Sequence, residues 1–254
     1  MVFKYILTGK VLPERVNFQL SSRTIVIDVP EFDFNFGLIL SIAKSQIMVQ
    51  IISENQVQDY ETLRNIVVDV VRLHVDIDGY IQGHGYDIEI TSIAGENNIP
   101  HIIFGIQIDE IEKDSVNRPI QNIDEIVSKF GKPEYNFLRL SLIDLQLSIK
   151  FPKDTGVFCY RAIESIMQYF NEGDNTRKSR KQAWMKFDSN LNVSREWVDF
   201  VRKFALDPRH GRPKSISGSE RIEVMKHTWK IVDRFILYLD KNESLDNNEF
   251  PELK

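Results

Sequence analysis

Short hydrophobic runs, β-branched, aromatic or alternating with polar residues, punctuate the first quarter of the chain and predict strands. Val2-Phe3-Lys4-Tyr5-Ile6-Leu7 is β-branched and aromatic and stops at Thr8-Gly9. Val16-Asn17-Phe18-Gln19-Leu20 alternates apolar with polar, which predicts a strand with one buried face. Thr24 to Val29 is a third strand, ended by Pro30. Phe34 to Ile42 and Gln46 to Ile52 form a hairpin around Ala43-Lys44-Ser45, and Phe32, Phe34 and Phe36 put three rings on one face. At Asp59 the period changes. Leu63, Ile66, Val67, Val70, Val71, Leu73 and Ile77 recur at three- and four-residue steps, predicting one amphipathic helix from Tyr60 to Ile81 that stops at Gly79 and Gly83-His84-Gly85. Two more strands are expected, Tyr86 to Ile93 and His101 to Ile108, on either side of Gly95-Glu96-Asn97-Asn98.

From Asp109 to Pro133 the chain is acidic and turn-rich, with a short helix expected from Asn122 to Phe130. Gly131-Lys132-Pro133 marks the expected boundary between domains at 1–132 and 133–241. Beyond it the pattern is helical. Leu138, Leu142, Leu145 and Ile149 share a face, as do Phe158, Ala162, Ile163, Ile166, Met167 and Phe170, and Ala183, Trp184 and Phe187 continue the series. Ser194 is a candidate N-cap for a helix carrying Trp197, Val198, Val201 and Phe204. Ser217-Gly218-Ser219-Glu220 is a capping box for a last helix striped with Ile222, Met225, Trp229, Val232, Ile236 and Leu239. With a single polar interruption at 207–216, these helices predict an antiparallel bundle. The expected fold class is therefore α+β: an N-terminal β-rich sheet with one packed helix, then a C-terminal all-α helical bundle. Residues 242–254, rich in Asn and acid, are expected to be a disordered tail.

At 254 residues the chain suits two compact domains, and a lone cysteine, Cys159, excludes an internal disulfide framework and fits a reducing cytoplasm. The start of the chain does not read as a signal peptide, and no apolar run reaches membrane-spanning length, so a cytoplasmic protein without membrane partners is expected. Net charge is −5 but uneven: residues 1–151 hold 13 Lys+Arg against 21 Asp+Glu, whereas residues 152–241 hold 18 against 12. The basic second half is compatible with nucleic acid or nucleotide binding and equally with a solvated helical surface. There is no G-x-x-x-x-G-K-[ST], G-x-G-x-x-G, nucleophile elbow, H-E-x-x-H or paired C-x-x-C, so no metal and no cofactor is expected.

The densest candidate chemistry lies between Trp197 and Pro213. Arg202 falls on the polar side of its helix, and Arg209, His210 and Arg212 follow in a loop opened by Asp207-Pro208. Imidazole can act as acid or base in phosphodiester cleavage and guanidinium can stabilise the phosphorane, while RNA supplies its own 2′-hydroxyl nucleophile. On spacing alone the same cations could simply cap the carbonyls of the preceding helix. Arg161 and Glu164, one turn apart, could line the same cleft or form a surface ion pair. Gly83-His84-Gly85 reads as a glycine-rich helix stop with an incidental histidine.

The second half resembles a HEPN domain, the helical bundle of many prokaryotic defence and toxin proteins. The resemblance is carried by Tyr160-Arg161-Ala162-Ile163-Glu164, by Arg202 to His210-Gly211, and by the long amphipathic helix that follows. It covers residues 134–241 and implies a metal-independent endoribonuclease, working as a homodimer through the helical domain and regulated by the N-terminal domain. His210 would be the acid/base, Arg202 and Arg209 would bind the scissile phosphate, and Arg177, Lys178, Arg180 and Lys181 would hold the RNA backbone, with Arg161, Glu164 and Arg212 in the same cleft. Active members carry R-x(4–6)-H; here seven residues separate Arg202 from His210. A longer loop would have to deliver Arg202, or Arg209 substitutes for it, or the domain is a non-catalytic module for nucleotide, RNA or protein.

Overall fold

The computed structural model describes residues 2–30, 34–96, 101–105, 108–174, 176–212 and 214–254. Phe32, Asn97, Asn98 and Pro213, named above, lie outside the described residues. The chain divides into two compact units, Met1–Ile106 and Gln107–Lys254.

Among the described residues, the first unit is a six-stranded antiparallel sheet with one α-helix. Its strands are β1 (Phe3–Leu12), β2 (Leu20–Val29), β3 (Phe34–Ala43), β4 (Gln46–Ser53), β5 (Asp87–Gly95) and β6 (Ile102–Ile103), in the order β2-β3-β4-β1-β5-β6. Helix α1 (Tyr60–Gln82) starts at Asp59, whose side chain accepts from the Thr62 amide, and its Leu63, Val67, Val71 and Val75 share one buried cluster with Tyr5, Leu7, Leu38, Leu40, Val49 and Ile51. The alternation in β1, β3 and β4 is thus a period-two burial pattern, as expected of a sheet covered on one face.

Three details differ from expectation. Val16 to Leu20 is not a strand of its own: Leu20 opens β2, Glu14–Val16 is a short turn of 3₁₀-helix, and Phe18 instead exchanges bonds with Ser45, its amide donating to Oγ and its carbonyl accepting from the Ser45 amide. Of the strand expected from His101 to Ile108, the described residues pair at Ile102–Ile103, with Phe104 adding one bond to Thr91, and Ile106 and Gln107 lie outside the described residues. The α1 stripe is really two seams, because Leu73, Ile77, Tyr80 and Ile81 stay exposed at 59%, 52%, 89% and 70% while the Leu63 seam is buried.

The second unit holds, among the described residues, seven α-helices: α2 (Asp109–Glu112), α3 (Ile123–Val127), α4 (Tyr135–Lys150), α5 (Thr155–Tyr169), α6 (Arg177–Leu191), α7 (Arg195–Arg209) and α8 (Gly218–Lys241). Helix α5 is central and packs against α4, α6, α7 and α8. Its Ile163, Ile166 and Met167 meet Phe187, Val201, Val224 and Phe235 in one core, each buried large side chain contributing roughly 1.5–3 kcal/mol. The Ser194 cap and the Ser217–Glu220 capping box form as expected. Cys159 lies inside this core, fully buried, and burial pushes its thiol up to about 11. It is expected to be inert to a thiol reagent in the native protein and to react once the unit unfolds, which absorbance titration in buffer and in denaturant checks.

Sequence punctuation misplaced two boundaries in this unit. The units divide at 106/107 rather than 132/133, because residues 108–132 pack with the helices. Ile111 and Ile126 enter the helical core, and Arg118 and Lys129 pair with Asp233 and Asp240 of α8. Residues 242–254 are an ordered strap, with Leu245 only 3% exposed. The Leu245 amide donates to the Asn190 carbonyl, and Asn192 donates to the carbonyls of Leu245 and Phe250. Val193 and Leu253 form a parallel bridge, and Arg234, 8% exposed, donates to the carbonyls of Leu191, Asn192 and Pro251. The acidic composition of the strap hides its few apolar and backbone anchors.

The end of α7 also departs from the pattern. The helix continues through Asp207 and Pro208 to Arg209, and the chain turns only at Gly211, whose φ of +73° suits glycine. Pro208 has no N–H to give to Phe204, four residues back. That carbonyl lies against α5: a Cβ on Gly156 would stand 2.6 Å from the Phe204 oxygen and 2.7 Å from its carbonyl carbon. The glycine therefore turns a hydrogen toward the carbonyl that the proline leaves without its helical donor.

Candidate functional site

Two helices over α5 make the candidate site. Arg195, Arg202 and Arg209 recur every seven residues on α7 and so share a face, two turns apart. On α5, Tyr160 and Glu164 also lie one turn apart on one face. Burial pushes the Tyr160 hydroxyl above its usual range, Glu164 adds to that, and Arg202, Arg209 and Arg195 oppose it. All four charged groups are thus within electrostatic reach of one partly covered phenol.

The centre of the site is Glu164. Its Oε2 accepts from Arg209 of α7 at 2.7 Å and its Oε1 from Arg180 of α6 at 3.4 Å. The Glu164 side chain is only 14% exposed, while Arg209 and Arg180 are 49% and 46% exposed. One carboxylate therefore draws together guanidinium groups from two helices, each keeping part of its donor fork in solvent. At the other end of α7, Arg195 lies 4.3 Å over the Trp184 ring and pairs with Asp188 at 2.5 Å. Arg202 faces Asp199 at 3.5 Å, a half-exposed pair worth little by itself.

The expected site residues divide. Arg209, Glu164 and Arg180 are brought together. His210 caps α7, exposed and next to Arg209 in sequence, with its amide bonded to the carbonyls of Leu206 and Asp207. Arg202 and His210 are not delivered to one point by a loop: residues 202–209 are continuous helix, which separates them by about 12 Å along the axis. Arg161 does not pair with Glu164. It grips the buried Asp144 of α4, donating from Nε to both oxygens at 2.9 Å and from Nη2 to Oδ1, and it lies over the Phe158 ring. Arg177, Lys178 and Lys181 are exposed in the first turns of α6 and Arg212 is exposed beyond α7. Arg177, Lys178, Arg180 and Lys181 put four cations at the positive end of the α6 dipole, which costs helix stability, so that end favours an incoming anion. Arg195 was not a candidate, although its seven-residue spacing to Arg202 and Arg209 is visible in the sequence.

A separate aromatic contact holds α7 to α8. The His227 ring stacks on Trp197 at 3.8 Å and on Phe200 at 4.3 Å, and burial lowers the pKa of this imidazole. Its Nδ1–H donates to the Glu223 carbonyl.

Among the described residues, no group of three or more His, Cys, Asp or Glu could hold a metal ion, and no helix is long and apolar enough to cross a membrane. The fold defines an α+β chain with a sheet unit followed by a helical unit. Residues 5–104 match the model of the N-terminal domain, and residues 123–240 that of the C-terminal domain, of one family, described as domain of unknown function DUF8168. Both matches stop within the unit to which they correspond, which agrees with the division at 106/107. No curated protein and no solved structure matches the chain.

Proposed function

We propose that the helical unit is a HEPN-like binding module for phosphate-bearing ligands, RNA foremost, which run along α6 and α7 above α5. The observation that carries this reading is the Glu164 clamp, which holds Arg180 and Arg209 in one place with donors still facing solvent. Arg177 and Lys181 extend the cationic track along α6, and Arg202 extends it along α7. About four phosphate contacts to a single strand correspond to a salt slope near −3, so affinity is expected to fall roughly 50-fold from about 50 to about 200 mM salt. Fluorescence anisotropy with labelled single-stranded RNA checks this, and the Arg177→Ala/Lys181→Ala variant is expected to lower the slope by about 1.4. Salt-independent binding, or none, would sink the reading.

His210, exposed at the helix end beside Arg209, favours a second reading in which the module also cleaves RNA without metal. The separation of Arg202 from His210 then leaves Arg209, or a residue of a second copy, to bind the scissile phosphate. Cleavage in EDTA by folded wild type, lost in His210→Ala, supports it; binding with no cleavage leaves the module as a binder.

A further inference from the structure

We infer that the Tyr160 hydroxyl contacts the ribose 2′-hydroxyl of a bound strand, so that the helical unit prefers RNA to DNA of the same sequence. This role rests on the binding reading above and adds to it the residue that selects the kind of nucleic acid. Gly156, Tyr160 and Glu164 follow at steps of four along α5 and so share one face. That face is turned to α7: Gly156 lies against the Phe204 backbone, and Glu164 bonds Arg209. Tyr160 falls between these two contacts with only 8% of its surface exposed. Its hydroxyl makes no hydrogen bond among the described residues, and it is not one of their sealed, unpaired polar atoms, so it opens to solvent. A phenol this covered usually has a partner for its hydroxyl. Here the hydroxyl is left open within electrostatic reach of Arg202 and Arg209.

The surroundings of that hydroxyl decide which group fits it. On α7, Arg202 and Arg209 stand about 10 Å apart along the helix axis, both half exposed and with part of their donor forks open to a phosphate. On α5, Glu164 is one turn on, and its carboxylate acts on the phenol more strongly than any one of the arginines. A phosphate seated on the phenol itself would therefore face a carboxylate, whereas a neutral hydroxyl would not. Between its phosphates a strand offers sugar, and only ribose carries there a hydroxyl that both donates and accepts. The phenol oxygen also donates and accepts. Burial and Glu164 push its pKa up, so it stays protonated across the neutral range. Phosphates on the arginines and a 2′-hydroxyl on the phenol satisfy both halves of the groove.

Fluorescence anisotropy of the full chain with a short uridine oligonucleotide, its deoxyuridine equivalent and its 2′-fluoro equivalent tests the inference. The three strands share base and phosphates, and the 2′-fluoro strand keeps the ribose pucker without the hydroxyl. Wild type is expected to bind the uridine strand about fivefold more tightly than either analogue, the worth of one neutral hydrogen bond. Tyr160→Phe is expected to bind all three alike, at the wild-type affinity for the analogues, with an unchanged salt slope because the lost group is neutral. Its melting curve is expected to match wild type, since the hydroxyl removed has no partner among the described residues. Arg202→Gln, which spares the hydroxyl, is expected to weaken all three strands and keep the fivefold preference. Equal wild-type affinity for the three strands, or a preference that survives in Tyr160→Phe or disappears in Arg202→Gln, overturns the inference and leaves the binding reading standing. Equal weakening of all three strands by Tyr160→Phe overturns it too, because the hydroxyl then serves a phosphate. A wild type that binds none of the three sinks the binding reading and this inference together.

Discussion

Arg234→Met is expected to lower the stability of the helical unit by about 3 kcal/mol and to release the C-terminal strap. The guanidinium is 8% exposed and donates to three carbonyls, those of Leu191, Asn192 and Pro251, at 2.9, 2.7 and 2.5 Å. Two belong to the C-terminal end of α6, where backbone acceptors have no helical donor. The third belongs to the strap, so one side chain closes a helix and fastens a terminus. Methionine fills similar volume but donates nothing, and each buried acceptor left unpaired costs about 1–3 kcal/mol. Against this stands the cost of burying the charge, since burial lowers the Arg234 pKa and no acidic group offsets it. Three lost charge-assisted bonds outweigh that relief, leaving a net loss of about 3 kcal/mol. Differential scanning calorimetry should show the transition of this unit falling by roughly 6–12 °C, and proteolysis should trim the strap at low protease concentration. A strap equally protected in the variant would mean that Leu245 and Asn192 hold it without Arg234.

Gly156→Ala is expected to destabilise the same unit by about 2 kcal/mol and to loosen the site. In an exposed helix interior the substitution would gain about 1 kcal/mol. Here the new methyl would stand 2.6, 2.7 and 2.8 Å from the oxygen, carbonyl carbon and Cβ of Phe204. Two of these are backbone atoms of α7 and cannot turn aside, so α7 must move away from α5. Overpacking of this kind costs about 1–3 kcal/mol or more, which exceeds the propensity gain. Because the Arg209–Glu164 bond spans the same two helices, the displacement is expected to lower RNA affinity as well. A variant as stable as wild type, with unchanged RNA affinity, would show that α7 can shift without disturbing the clamp.

Much of this architecture was legible as periodicity. A β-branched and aromatic run marked β1, two apolar runs around a short turn marked β3 and β4, alternation marked β5, and Ser194 and Ser217 announced α7 and α8, because these signals are local: a strand run and a cap are fixed by neighbouring residues. The misreadings were non-local. Phe18 sits in an alternating run, yet its backbone is taken by Ser45, twenty-seven residues away. Asp207-Pro208 looks like a helix stop, but Gly156 on another helix receives the freed carbonyl and the helix runs on. The strap reads as disorder because its polar composition outweighs Leu245 and Leu253, whose anchors are Asn190, Asn192 and Val193. In the site, Glu164 and Arg209 were both candidates, but their pairing was not visible in the sequence. Arg161 was set beside Glu164 because they are neighbours on one helix, whereas its partner is Asp144 on another.

The Glu164 clamp has a consequence for which ligands the groove accepts. The seat between Arg180 and Arg209 already holds a carboxylate, so an anion arriving there competes with a resident. A free phosphate ion must win that competition alone and loses it at ordinary concentrations. A strand already tethered by Arg177 and Lys181 presents its next phosphate at an effective concentration in the millimolar range, which makes the exchange intramolecular. On the binding reading, Glu164 thus acts as a length filter: it turns away mononucleotides and inorganic phosphate and yields to a polymer. Glu164→Gln would relax that filter, raising the affinity for short anions more than that for long RNA.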